Sequence, residues 1–351
     1  MTTTSMADPN QLVTLGIDTH AEVHAVAALD ERGRLLDSTT IPTSPAGFQA
    51  LLEWAGGFGT IDRVGIEGTG SYGAGVARWL RAQGLVVIEV DRPDRGERRR
   101  RGKSDPIDAE IAARAVQSGR ASGTPKAGDG RVEAIRALRI ARGSALDARS
   151  RVANQLHALR VTAPDELREE LRSLSLARLS LRASRFRVPT FVDTPLAATR
   201  LAMRSLAQRF RQLSTEIARL DVHLVRLVAA AAPQLVARPG IGTQIAGQLL
   251  VTAGDNPTRL RSEGAFAMLV GTAPIPASSG KTERQRLNRS GDRQANSALY
   301  MLALSRLSRD PRTQAYVRRR TAEGKTKPEI MRCLKRYLTR EVYRLLVPVP
   351  G

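Results

Sequence analysis

The sequence predicts an α/β plus α architecture: a sheet domain at the N-terminus, a long helical middle and a mostly helical C-terminal region. Three observations predict it. Short β-rich runs alternate with amphipathic helices over residues 12–91, long Leu-, Ala- and Arg-rich helical periodicity runs from about Gly130 to Ala232, and glycine and proline return from Pro233 onward. The implied boundaries are residues 1–125, 126–232 and 233–351, as suits a 351-residue chain of two or three domains.

The first runs, Leu12–Ile17, His24–Leu29 and Leu35–Ile41, read as strands, the second and third joined by the turn Asp30-Glu31-Arg32-Gly33. Ser44-Pro45 is a helix start for a segment carrying Phe48, Leu51, Leu52 and Trp54. A strand over Arg63–Ile66, a helix over about Ala74–Gln83 and a strand over Leu85–Val90 follow, then an arginine-rich loop and another helix. A three-stranded meander followed by helices alternating with strands is the order that a ribonuclease-H-type sheet requires.

In the middle region Leu206, Phe210, Leu213, Ile217, Leu220, Leu224 and Leu227 alternate spacings of four and three, as a coiled-coil seam does. A second stripe, Leu138, Ala145, Val152 and Leu159, is interrupted at its companion positions by Arg142 and Arg149. The same stripes serve a dimeric coiled coil or a helical hairpin within one chain. The last third carries the turn Arg238-Pro239-Gly240-Ile241-Gly242, a Pro/Ser/Gly loop from Pro274 to Gly280, and helices near Gln294–Leu307 and Pro328–Leu346.

Charge narrows the function. With 55 Lys+Arg against 34 Asp+Glu the chain has a formal net charge of +21, which points to a polyanionic partner, nucleic acid first. No apolar run is long enough to span a bilayer, and Met1 to Asn10 lacks the basic and apolar regions of a signal peptide, so no membrane and a cytoplasmic location are expected. The lone Cys333 excludes an intrachain disulfide and a cysteine zinc site. Hydrophobic content of 42% is ample for folded cores.

Candidate chemistry lies with four acids. Asp18 ends the first strand and Glu67 the fourth, places where an apolar strand delivers a carboxylate to a sheet edge. If a helix starts at Pro106, Asp105 and Asp108 project on one side of its N-terminus. Such a group would bind Mg²⁺, because hard cations take oxygen ligands and leave positions for phosphate oxygens. The local alternative for Asp105 and Asp108 is helix capping. Arg98, Arg99, Arg100, Arg101 and Lys103, directly before the third acid, are expected to grip phosphates. Gly240 and Gly242 belong to a turn resembling a helix-hairpin-helix element, whose backbone N–H groups bind phosphate without reading sequence. Two motifs fail. Ser279-Gly280-Lys281-Thr282 lacks the earlier glycine of a P-loop, and the four histidines show no metal-ligand spacing.

Together Gly16-Ile17-Asp18, Ile66-Glu67-Gly68-Thr69-Gly70, Lys103-Ser104-Asp105-Pro106-Ile107-Asp108-Ala109 and the late Pro-x-x-Ser-Gly loop resemble the IS110 family of insertion-sequence transposases, kin to Piv-type DNA invertases. The resemblance implies a RuvC-like N-terminal domain, a coiled-coil middle and a C-terminal transposase domain. It implies that Asp18, Glu67, Asp105 and Asp108 hold Mg²⁺ and that Ser279 attacks DNA to form a covalent phosphoserine intermediate. Ser278 is adjacent, and Ser279 is favoured because it precedes Gly280. Also implied are a guide (bridge) RNA that pairs with donor and target DNA, a homo-oligomer from dimer to tetramer, and work at the bacterial nucleoid. A Piv-like invertase, a RuvC-like junction nuclease and an architectural nucleic-acid-binding protein are the alternatives.

Overall fold

A computed structural model describes residues 11–90, 104–278 and 285–347. It divides the chain into two compact units. The first takes in the chain up to residue 130 and returns for residues 253–266, and the second comprises residues 131–252 and 267 onward.

The first unit is a mixed α/β layer. Strands β1 (Leu12–Thr19), β2 (Val23–Leu29) and β3 (Leu35–Pro42) form an antiparallel meander. Helix α1 (Pro45–Gly56), β4 (Thr60–Glu67), α2 (Ala74–Ala82) and β5 (Val87–Val90) then add two strands parallel to β1, giving the sheet order β3-β2-β1-β4-β5. Helix α3 (Asp105–Gln117) follows among the described residues. This is the strand order expected of a ribonuclease-H-type sheet. The start of α1 follows from its sequence: Ser44 is extended, its Oγ accepts from the Gly47 amide at 3.2 Å, and Pro45 supplies a pre-set first turn.

The two faces of the sheet are built differently. Val13, Leu15, Ile17, Val26, Val64 and Ile66 alternate onto one face and pack with Phe48, Leu51, Val76 and Leu80 of α1 and α2. The other face is nearly bare: Gly16 pairs with Gly65 and with Ala27, and Ala25 and Ala27 meet Ala109 of α3. A Cβ on Gly16 would stand 2.0 Å from the Ala109 carbonyl oxygen and 2.3 Å from the Ala113 nitrogen. A Cβ on Gly65 would stand 2.6 Å from Val116 Cγ2 and 2.9 Å from the Ala112 oxygen. Helix α3 therefore rests on the sheet backbone itself.

Residues 253–266 join this unit through polar contacts. Asn256 accepts from the Ala127 amide at 2.9 Å and donates to the Pro125 carbonyl at 2.9 Å, while Arg259 reaches Glu89 of β5 at 3.7 Å.

The second unit is helical: α4 (Arg131–Thr162), α5 (Asp165–Leu171), α6 (Leu176–Ala183), α7 (Pro195–Ala231), α8 (Pro233–Val236), α9 (Thr243–Ala253), α10 (Glu263–Leu269), α11 (Arg293–Arg309), α12 (Pro311–Ala322) and α13 (Lys327–Leu346). Between α10 and α11 lies a short hairpin of β6 (Ile275–Pro276) and β7 (Gln285–Arg286). Helices α9 and α10 straddle the boundary between the units. None of the helices among the described residues is long and apolar enough to cross a membrane.

Helices α4 and α7 pair antiparallel within the one chain. Arg131 near the start of α4 donates to the carbonyl of Ala230 near the end of α7, Arg142 pairs with Asp221 at 2.6 Å, and Val152 and Leu156 share a core with Met203 and Ala207. The buried side of α7 runs through Met203, Ala207, Ile217, Leu224 and Val228. It keeps Ile217 and Leu224 of the expected stripe buried, with Leu206, Phe210 and Leu213 partly buried against the same core. The arginines that interrupt the α4 stripe face α7 and are satisfied there: Arg142 by Asp221, and Arg149 by the ring of Phe210, 6.0 Å away. The Ser173–Val192 stretch contributes Leu179, Ala183 and Phe186 to the same core.

Substituting Gly16 by Ala is expected to lower stability by about 1–3 kcal/mol or more, since the added methyl meets backbone that cannot rotate aside. Chemical denaturation measures this, and Gly70→Ala, where an added Cβ would meet nothing within 4 Å, is the control.

Candidate metal centre

The contact between α3 and the sheet places the acids. Gly16 and Gly65 lie side by side under α3, and two residues further along each strand the period of two returns Asp18 and Glu67 to that same face. The strand ends are tied together by Thr19, whose hydroxyl donates to the Glu67 carbonyl at 2.9 Å. Helix α3 points its first turn at this edge and brings Asp105 and Asp108. Asp18 and Asp108 are buried, at 9% and 2% exposure, Asp105 is open to solvent, and Glu67 is half-buried with its Oε2 enclosed.

The helix starts one residue earlier than the sequence suggests. Ser104 occupies the cap, with extended backbone, and Asp105 is the first helical residue. The capping account of Asp105 thereby loses its position. Asp108, three residues on, is enclosed against the sheet rather than displayed to solvent.

Electrostatics reinforce the grouping. Burial raises the Asp18 carboxyl above the usual carboxylate range; His20 opposes this, and the nearby charges of Asp108 and Asp105 add to it. A carboxylate that is both enclosed and repelled by two others favours a bound cation, which reverses each unfavourable contribution at once.

The tightest grouping includes a residue that motif spacing alone sets aside. His20 Nε2 lies 3.2 Å from Asp18 Oδ2 and 3.5 Å from Asp105 Oδ1, and potential ligand atoms of Asp18, His20 and Asp105 all fall within 4.8 Å of one another. Spacing to another histidine or cysteine does not mark His20. The usable signal was Asp18-Thr19-His20 itself, two residues apart at a strand end and hence on one side. His24 goes the other way: it is fully buried and stacks on Phe48 in the opposite core, with burial lowering its pKa.

Two similarities to known families match this layout. Residues 15–163 match a transposase model of the DEDD type, and residues 232–318 match the model described as transposase IS116/IS110/IS902 family. The chain belongs to the IS110 family of transposases. Among its relatives, the uncharacterized 43.6 kDa protein of insertion element IS110 from Streptomyces coelicolor is 30% identical over 40% of this chain and 36% of its own length. A mini-circle protein for IS117 from the same organism is 26% identical over 91% of this chain and 90% of its own. The uncharacterized 42 kDa protein of insertion element IS900 from Mycobacterium paratuberculosis is 27% identical over 46% of this chain and 41% of its own. A DEDD-type domain and the group of Asp18, His20 and Asp105, which does not include Glu67 or Asp108, together suit a divalent metal.

The remaining expected site residues divide in two. Arg98, Arg99, Arg100, Arg101, Lys103 and Ser279 lie outside the described residues. Gly240 and Gly242 link the short α8 to α9; Gly240 has φ +82°, which only glycine adopts freely, and Arg306 fixes the turn by donating to the Pro239 carbonyl at 3.1 Å. Beside this turn is a cleft of about 490 Å³ that includes Arg238, Arg340 and Arg344 in its lining.

Asp18→Asn is expected to raise the melting temperature of the metal-free protein at neutral pH and to abolish the rise that a divalent cation produces. Because the folded-state pKa is raised, the penalty from Asp18 is absent below its unfolded value and grows as pH rises through the folded one. The advantage of the variant should therefore shrink on acidification, which thermal melts across the acid range will show.

Proposed function

We propose that this IS110-family chain catalyses Mg²⁺-dependent, serine-mediated strand exchange of an insertion sequence on DNA, guided by an element-encoded bridge RNA. The observation that carries this is the docking of α3 on Gly16 and Gly65, which delivers Asp105 and Asp108 to the strand end that holds Asp18. In this reading residues 1–125 form a RuvC-like domain, residues 126–232 a helical spacer and residues 233–351 the transposase domain.

Asp18, Glu67, Asp105 and Asp108 hold the cation, and Mg²⁺ bound there supplies Lewis-acid polarisation of the scissile phosphate and neutralises developing charge. Asp18, already enclosed, excludes water from one side of the centre. His20 braces the Asp18 and Asp105 carboxylates against each other. The Ser279 hydroxyl loses its proton as its Oγ bonds to the phosphorus, the bond from phosphorus to the deoxyribose oxygen breaks, and that oxygen takes up a proton to leave as a hydroxyl, so that a phosphoserine link replaces the phosphodiester with no net proton change. Rejoining is the reverse reaction with a new deoxyribose hydroxyl. The charge of +21 and the arginine run at 98–101 support a load of RNA as well as donor and target DNA. Dimers that assemble to a tetramer would let the acids of one subunit serve the serine of another.

The deciding experiment incubates the protein with Mg²⁺, RNA transcribed from the flank of its gene and labelled element-end DNA, followed by a denaturing gel. The expected result is a protein–DNA adduct in the wild type that is lost in both Ser279→Ala and Asp18→Ala. Cleavage that persists in Ser279→Ala, with no adduct in the wild type, replaces the serine mechanism by a water-using RuvC-like nuclease. An adduct that forms equally well without the RNA favours a Piv-like invertase.

A further inference from the structure

The second unit contains a cleft of about 820 Å³ whose lining includes Arg286 of β7, Arg319 of α12, Lys325, and Arg332, Lys335 and Tyr337 of α13. Most of these cations are at its surface. Lys335 is not: it is only 9% exposed.

Lys335 is held in place by neutral groups. Its Nζ donates to Asn296 Oδ1 at 2.6 Å, and Asn296 is itself pinned, its Nδ2 donating to the carbonyls of Val270 at 2.8 Å and Gly271 at 3.0 Å. Thr339 one turn on donates to the Lys335 carbonyl and meets Thr272 at 2.9 Å. Among the described residues no carboxylate lies within ion-pair distance of the ammonium. The acid in the cleft wall, Glu329, is engaged in the α13 capping box with Thr326. Of the other enclosed cations of this unit, Arg306 pairs with Glu341 and Arg142 with Asp221, while Arg139 is met by the neutral Gln244 and Gln248.

A buried ammonium without a counter-ion is costly, and a fold that retains one has a use for an anion. Burial and the neighbouring Arg332 both lower the Lys335 pKa, a pressure that an incoming anion relieves. The rim cations are held in order by aromatic rings, with Arg319 lying 5.5 Å over the ring of Tyr316 and Arg340 5.7 Å over that of Tyr337.

We propose that this cleft is a binding site for a backbone phosphate of DNA, with Lys335 as its central buried cation. The choice of DNA rests on the function proposed above, because Pro274 and Arg286, which lie on either side of the serines in sequence, both line the cleft. Lys335 is then a positioning residue that seats the strand. The contact is to phosphate, so it is indifferent to base sequence.

The test uses the full chain without divalent metal, so that cleavage chemistry does not enter. Duplex element-end DNA is titrated by fluorescence anisotropy over a range of salt, and melting is followed with and without inorganic phosphate. Lys335→Met is expected to melt no lower than the wild type, to bind DNA about tenfold more weakly, and to reduce the slope of log affinity against log salt by about 0.9. Phosphate should raise the melting temperature of the wild type and not of the variant. Arg286→Gln, on the exposed strand, should weaken binding in the same direction without touching the core. Unchanged affinity and salt slope in both variants overturns the proposal. So does a loss confined to RNA from the element flank, which would assign the cleft to the guide. Loss of the serine adduct reaction with these binding differences intact would refute the proposed chemistry and leave the phosphate site standing.

Discussion

The close seat of α3 on the sheet is the constraint on which the rest of the first unit depends. Two paired glycines remove the side-chain layer that normally separates a helix from a strand, and Ala25, Ala27 and Ala109 keep the surrounding surface flat. A helix held at ordinary sheet–helix separation would carry Asp105 and Asp108 several ångströms further from Asp18. The glycines thus do more than permit a turn: they set the reach of two carboxylates. The cost is a face with little apolar area, which the opposite face offsets with Leu15, Ile17, Ile66, Leu51 and Leu80.

Such a centre is held under electrostatic tension. Asp18 is enclosed and faces two like charges, so the folded chain on its own is strained where it is proposed to work. His20 relieves part of this strain by standing between Asp18 and Asp105. A cation relieves more, which couples metal binding to the stability of the domain.

Arginine has two uses in this chain, and composition does not separate them. Arg139, Arg142 and Arg306 are structural: Arg139 bonds to Gln244 and Gln248, Arg142 to Asp221, and Arg306 to Glu341 and the Pro239 carbonyl. Each joins helices distant in sequence by a planar group with several donors, for which lysine is no substitute. In the Lys335 cleft Arg319 and Arg320 pair with Glu323 close by in sequence, whereas the Lys335 ammonium meets the neutral Asn296, and the difference lies in partners rather than in residue type.

The sequence by itself determined the strand meander, the alternation that follows it, the helical remainder and the positions of Asp18 and Glu67, because those depend on local periodicity and on where an apolar strand stops. Ser44-Pro45 marked a helix start for an equally local reason. Only the tertiary structure decided that the two long stripes meet within one chain, since the complement of Arg142 is Asp221, remote in sequence. It also decided that residues 253–266 return to the first unit, that Ser104 rather than Asp105 caps α3, and that His20 sits between two acids. Those outcomes depend on which surfaces approach closely enough to exclude water and share polar atoms. That closeness is a property of packed pairs, which no single stretch of the chain encodes.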